Sequence, residues 1–146
     1  TPYLILHDAI SRALKVASES GVDVRILVPH IPDKKLVFQI TRHSYKALIE
    51  SGIKIYEFTP GFNHSKAIVC DDEYGLVGSI NTDFRSYFLH FEDAVLMYKT
   101  EAVKDVKKDF LQSLEKSHEV TMKEVNTTPL ILKIIRAILT LFIPLV

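Results

Sequence analysis

A mixed α/β fold, with a largely parallel β-sheet flanked by helices and a C-terminal amphipathic helix, is what this sequence predicts. Three observations lead there. Short apolar runs alternate with helical periodicity over the first 58 residues. The connections between them are short, so consecutive elements pack as βαβ units. The alternation then breaks at "NHSKAIVCDDEYGLVGSIN", residues 63–81, where two strands adjoin across a turn cluster.

The elements follow in order. "PYLIL" reads as a strand already under way at the first residues, as in a piece of a longer protein. "HDAISRALKVASESG" is a helix with Ile10, Leu14 and Ala17 on one face, Asp8 near its positive end and Gly21 as its stop. "VDVRILV" is the next strand, "DKKLVFQITRHSYKALIESG" a longer helix ending at Gly52, and "IKIYEF" a third strand. After the hairpin, "EDAVLMY" gives one more strand. "TEAVKDVKKDFLQSLEKS" then forms an amphipathic helix with Val103, Val106, Phe110 and Leu114 inward. Residues 1–120 are thus expected to form one domain and 121–146 a terminal amphipathic helix. In that tail Thr128 can cap, Pro129 suits the first helical position, and Lys133, Arg136 and Thr140 share one side. Two placements stand open: packed on the domain, or lying in a membrane interface with its cations toward headgroups.

The totals exclude several classes. Among 146 residues, 18 Lys and Arg balance 18 Asp and Glu, so no global charge draws the chain to nucleic acid. A single cysteine removes both an intrachain disulfide and a Cys-based zinc site. No basic start followed by a cleavable apolar stretch marks a signal peptide.

The polar pattern inside the hairpin carries the chemistry. Side chains alternate along a strand, so His64 and Lys66 project together, and so do Ser79 and Asn81. A loop at 72–75 would pair Asp71 with Leu76 and set Lys66 opposite Asn81, bringing all four to one surface. An imidazole there can attack an electrophile or shuttle a proton near neutral pH. Lysine, serine and asparagine offer the donors that hold phosphate oxygens. Asp71 reads as a strand-end structural residue and Cys70 as a small core residue. No acidic pair is available for Mg²⁺ on this face, so Lys66 is expected to supply the positive charge, with no metal and no cofactor.

His64, Lys66, Asp71, Gly78, Ser79 and Asn81 fill H-x-K-x4-D-x6-G-S-x-N without a departure. The pattern resembles the HKD motif of the phospholipase D superfamily. "TPGF", "NTDFRSYFLHFE" and "GVDVRILVP" are similar to the C-terminal half of bacterial cardiolipin synthases, as is "TPYLILHD", with His7 where that family would have proline. The resemblance implies transfer of a phosphatidyl group between two phosphatidylglycerol molecules through a phosphatidyl-histidine intermediate. It makes His64 the general acid and base, Lys66 and Asn81 the holders of the nonbridging oxygens, Ser79 their support, and Glu92 the carboxylate that orients the histidine. Such a reaction needs two motifs. It implies as partners an anionic phospholipid and a missing N-terminal half, or a second copy of this chain. It also implies a bacterial cell membrane, where N-terminal spans would anchor the whole protein. The competing readings are a one-motif phosphodiesterase or nuclease working as a homodimer, and a non-catalytic module binding anionic lipid. "KDVKK" is the only local basic cluster, too little for a nucleic-acid surface.

Overall fold

The computed structural model describes residues 1–143, so the last three residues of the expected tail helix lie outside the described residues. Among the described residues eight strands form, β1 (Leu4–Ile5), β2 (Arg25–Pro29), β3 (Lys54–Phe58), β4 (Ala67–Cys70), β5 (Tyr74–Gly78), β6 (Thr82–Asp83), β7 (Ala94–Tyr98) and β8 (Ser117–Glu119). Six helices accompany them, α1 (Asp8–Glu19), α2 (Lys35–Glu50), α3 (Phe84–Phe88), α4 (Glu101–Glu115), α5 (Met122–Thr127) and α6 (Leu130–Thr140).

The arrangement is mixed α/β. Strands β2 and β3 are parallel and joined by α2, the crossover that a parallel pair requires. Strand β1 runs parallel to β6, and β8 adds antiparallel to the other edge of β3. Strands β4, β5 and β7 form a separate antiparallel sheet. Helix α1 starts at His7, whose Nδ1 accepts the Ala9 N–H at 3.2 Å, so the imidazole serves as an N-cap. Gly21 ends the same helix at φ +97°, a left-handed conformation that glycine adopts without strain.

The core gathers where the βα units meet. Leu4, Val28, Tyr45, Leu48, Ile53 and Ile55 are buried together, and Val120 and Val125 pack against them. Helix α5, which carries Val125, thereby docks on the main core. A capping box holds its start, with Thr121 and Glu124 exchanging side-chain and backbone hydrogen bonds.

A carboxylate lies deep in this core. Glu57 on β3 is 1% exposed. Arg42 of α2 grips both its oxygens, Nε to Oε1 at 2.8 Å and Nη2 to Oε2 at 2.6 Å. The Tyr45 hydroxyl donates to Oε1 at 3.0 Å, and His30 Nδ1 stands 2.8 Å from Oε2. Burial pushes the Glu57 carboxyl pKa up, but the hydrogen bonds and charge of Arg42, with His30 and Tyr45, outweigh it and leave the group below its ordinary 4.5.

The tail departs from expectation. It is two helices rather than one, with Pro129 as the residue before α6. The Thr128 hydroxyl turns back to the Glu124 carbonyl instead of capping. Helix α6 packs on α2 through the side that carries Arg136, which is 7% exposed and donates from Nε to Gln39 Oε1 at 2.9 Å. Leu139 and Ile143 flank that contact against Ile5, Val37 and Ile40. The inward side thus combines Leu139 and Ile143 with one buried cation, Arg136, while Lys133 of the expected polar side is exposed and donates to the Asn126 carbonyl at 3.0 Å.

Replacing Arg42 by Met leaves the Glu57 carboxylate buried without its main partner. A loss of about 3 kcal/mol is expected, read as a lower urea midpoint. Because folding lowers the Glu57 pKa, its contribution is complete above about 4.5 and is lost as pH falls through the depressed folded value. In Glu57→Gln, the stability curve measured by urea titration from pH 6 down to 3 should be flatter than in the parent.

Candidate active site at the open end of a hairpin

The β4–β5 hairpin turns on Asp71 and Asp72, at φ +52° and +59°. The Glu73 N–H closes the turn on the Cys70 carbonyl at 3.1 Å. The ladder pairs Ala67 with Val77, Ile68 with Leu76, Val69 with Gly75 and Cys70 with Tyr74. This corrects the expected register by three residues. Aspartate tolerates the left-handed region, so the turn tightens around 71–73 and Gly75 moves into the strand. There its missing side chain admits Met97 and Val103, whose nearest atoms would stand 3.0 and 3.3 Å from a β-carbon. Lys66 consequently lies opposite Gly78, whose N–H donates to the Lys66 carbonyl at 3.2 Å, and not opposite Asn81. Cys70 is corrected as well: it is exposed, with its thiol on Asp71 Oδ2 at 3.4 Å.

The site forms where both strands leave the ladder. His64 is exposed and Lys66 half-buried. Lys66 Nζ rests 3.2 Å from Nδ1 and 3.1 Å from Nε2 of His64, and donates to the His64 carbonyl at 2.9 Å. A point equidistant from both ring nitrogens lies along neither lone pair, so the ammonium sits against the ring. Phe62 flanks the imidazole with ring centroids 5.4 Å apart. Partial burial lowers the Lys66 pKa, while the carboxylates of Glu92, Asp33 and Asp83 pull it back up.

Ser79 follows the exit of β5. Its hydroxyl donates to Glu92 Oε2 and accepts the Asp93 N–H at 2.9 Å, while its own N–H donates to the Asp93 carbonyl at 2.8 Å. The Ser79 hydroxyl is the main cause of a lowered Glu92 pKa, followed by Ser86 and His90. Glu92 is thus held by Ser79, with His90 Nδ1 3.5 Å from its other oxygen, and makes no hydrogen bond to His64. Asn81 donates its backbone N–H to Ser86 Oγ at 3.1 Å, and its side-chain Oδ1 is buried with no partner. A half-turn of that amide exchanges its oxygen for its NH2, so the orphaned end can present either an acceptor or two donors.

Lys66, Ser79 and Glu92 are therefore brought together, with His64 tied to Lys66 and Asn81 joined through Ser86. Asp71 is not among them. It lies at the far end of β4, about 16 Å along the strand from Lys66 at ~3.3 Å per residue, and shapes the turn. Ser86 and His90 were missed by sequence reasoning. The signal for Ser86 was local: Asp83 caps α3 by accepting the Ser86 N–H at 2.7 Å, the standard role of aspartate before a short helix. No group of three His, Cys, Asp or Glu side chains placed to hold a metal occurs among the described residues.

Residues 1–114 match the family described as "Cardiolipin synthase, PLD-like domain". The chain is 45% identical over 145 residues to a Streptococcus mutans protein described as uncharacterized, covering 99% of this chain and 32% of that protein. It is 39% identical to a cardiolipin synthase of Geobacillus sp. strain WCH70 and 40% identical to one of Alkalihalophilus pseudofirmus. Each of these two matches covers 99% of this chain and 29% of the relative. The chain thus spans about three-tenths of the length of these relatives. Among solved structures, the phospholipase D family member Nuc of Salmonella typhimurium superposes with TM-score 0.68 at 19% identity, over 81% of this chain and 77% of that one. Phosphatidylserine synthase of Haemophilus influenzae gives 0.67 at 21%, over 99% of this chain and 38% of that one. At these identities the two structures share the fold.

Gly78 fixes the spacing of the site, because a β-carbon there would stand 2.2 Å from the Asp93 carbonyl and 2.6 Å from Ala94 Cα. Gly78→Ala should cost about 2 kcal/mol in urea unfolding, the scale of overpacking against backbone. An unchanged midpoint would mean that β5 and β7 can part freely.

Proposed function

The chain belongs to the phospholipase D-like domain family of cardiolipin synthases, and on that premise we propose that it is the C-terminal catalytic half of such an enzyme. In this reading it moves a phosphatidyl group from one phosphatidylglycerol to another, at a bacterial membrane. The observation that carries it is the cluster at the open end of the β4–β5 hairpin. An exposed imidazole, a half-buried ammonium and a carboxamide whose oxygen has no partner stand beside a serine–glutamate pair.

The partner half contributes the second histidine. That histidine attacks the phosphorus of the first lipid, a P–N bond forms, and the P–O bond to the departing glycerol breaks as His64 gives it a proton. His64, now neutral, takes the proton from a hydroxyl of the second phosphatidylglycerol. The freed oxygen attacks phosphorus, the P–N bond breaks, and cardiolipin leaves. The phosphodiester anion draws the Lys66 ammonium off the imidazole, and Lys66 and Asn81 hold the nonbridging oxygens. Ser79, engaged by Glu92, keeps that carboxylate and the β7 backbone in place.

A second reading rests on the single motif: two copies of the chain could complete one site as a homodimeric phosphodiesterase. Sedimentation separates the two. A monomer whose activity returns only with the N-terminal half supports the synthase, and a dimer that cleaves phosphodiesters alone supports the alternative.

His64→Ala in the full-length enzyme should lower cardiolipin formation by about 10²–10⁴-fold with the melting temperature unchanged, and retained synthesis removes His64 from the reaction. Because Lys66 supplies the positive charge, EDTA should leave the rate unaltered. Loss of activity in EDTA that Mg²⁺ restores would overturn that role.

A further inference from the structure

Helix α6 presents its apolar side to solvent. Leu130, Ile131, Ile134, Ile138 and Leu141 are each more than half exposed, while Arg136 on the opposite side is buried on α2. At 100° per residue those five side chains fall on one arc, with Lys133 at its edge. Exposing a row of branched aliphatic side chains on one helix needs a partner.

Charge identifies that partner. On α2 and α6 Arg42 is tied to Glu57 and Arg136 is buried on Gln39, which leaves Lys35, Lys46 and Lys133 exposed against one carboxylate, Glu50, itself 3.8 Å from Lys46. After Glu124 the sequence has no Asp or Glu at all. The other large apolar exposure lacks this bias. On β4, β5 and β7, Ile68, Leu96 and Tyr98 lie among charges of both signs, with Lys99 paired to Glu73 and Lys107 to Asp72. No described helix is long and apolar enough to cross a membrane. Helix α6, about 16 Å long at ~1.5 Å per residue, reaches roughly half of a ~30 Å hydrocarbon core.

We propose that α6 is an interfacial helix: it lays these five side chains into the surface of an anionic phospholipid bilayer, with Lys133 and the α2 lysines at headgroup level. Arg136, Leu139 and Ile143 already pack against the protein, so α6 docks without leaving α2. None of the five side chains belongs to the His64 cluster, and the proposal does not rest on the catalytic reading.

Co-sedimentation with vesicles of phosphatidylglycerol, against vesicles of phosphatidylcholine, tests it. The chain should bind the anionic vesicles at least tenfold more tightly. The pair Ile134→Asp and Ile138→Asp should weaken that binding at least tenfold at an unchanged melting temperature, and Leu96→Asp should not. The sequence has no tryptophan, so Ile138→Trp gives a single reporter whose emission should shift to the blue with anionic vesicles. Should the aspartate pair unfold the chain, this reporter carries the test, and an unshifted emission overturns the proposal. Equal binding by the aspartate pair, or equal partition into phosphatidylcholine, overturns it too. So does a dimer of the parent chain that the aspartate pair dissociates, because the face would then belong to a second copy. His64→Ala should bind vesicles like the parent. Loss of binding there would move the lipid contact from α6 to the site, whereas an enzyme without turnover leaves the α6 result intact.

Discussion

Gly78 lies so close to β7 that a side chain there would stand inside the Asp93 carbonyl and the Ala94 backbone, and the polar cluster depends on that approach. It lets Ser79 exchange backbone and hydroxyl hydrogen bonds with Asp93, which brings Glu92 onto the Ser79 hydroxyl. Glu92 then holds its carboxylate near Lys66 and opposes the desolvation that partial burial imposes on the ammonium. Across the ladder, Gly78 also donates to the Lys66 carbonyl, fixing where the lysine leaves β4. One missing β-carbon therefore sets the distance between the hairpin that brings Lys66, Ser79 and Asn81 and the segment before β7 that brings the Glu92 carboxylate.

A second constraint works from the other side of the molecule. The Glu57 carboxylate could not remain ionised in the core without Arg42, Tyr45 and His30, and these come from α2 and from the end of β2. The network locks α2 onto β3, and α2 in turn is the surface on which α6 rests. Near α6, Arg42 lowers the pKa of Arg136 after desolvation has already done so, and Gln39 supplies the hydrogen bond that makes this burial tolerable. That is why α6 can bury Arg136 on α2. With Arg136 satisfied by Gln39 and flanked by Leu139 and Ile143, the opposite arc of Leu130, Ile134 and Ile138 is left facing away from α2.

The sequence spoke clearly where a single period or cap decides an element. Gly21 and Gly52 stop α1 and α2, and Val103 and Leu114 of α4 are buried as their spacing predicts. It was silent where tertiary pairing creates an element. Strand β6 is two residues long, and β8 exists as a strand because β3 offers it an edge. It misled where one composition fits two geometries. "DDEYG" contains a glycine, which drew the turn to 72–75, although two aspartates in the left-handed region close it earlier. In the tail, periodicity grouped Lys133, Arg136 and Thr140 on one side, yet only Arg136 is buried on α2, since that burial depends on Gln39, which lies 97 positions away.

The register error shows what the motif requires. Within a ladder, an odd slip sends alternate side chains to the opposite face, and a displacement of three should have parted Lys66 from Ser79 and Asn81. It does not, because residues 63–66 and 79–81 lie outside the paired strands. Freed from the pleat, Ser79 can turn to Asp93 and Glu92 while Lys66 folds back over His64. What gathers the polar groups is that both strands leave the hairpin at the same end, next to β7. Spacing along the chain then matters chiefly by counting residues from the turn, so that each polar pair emerges just past the last rung.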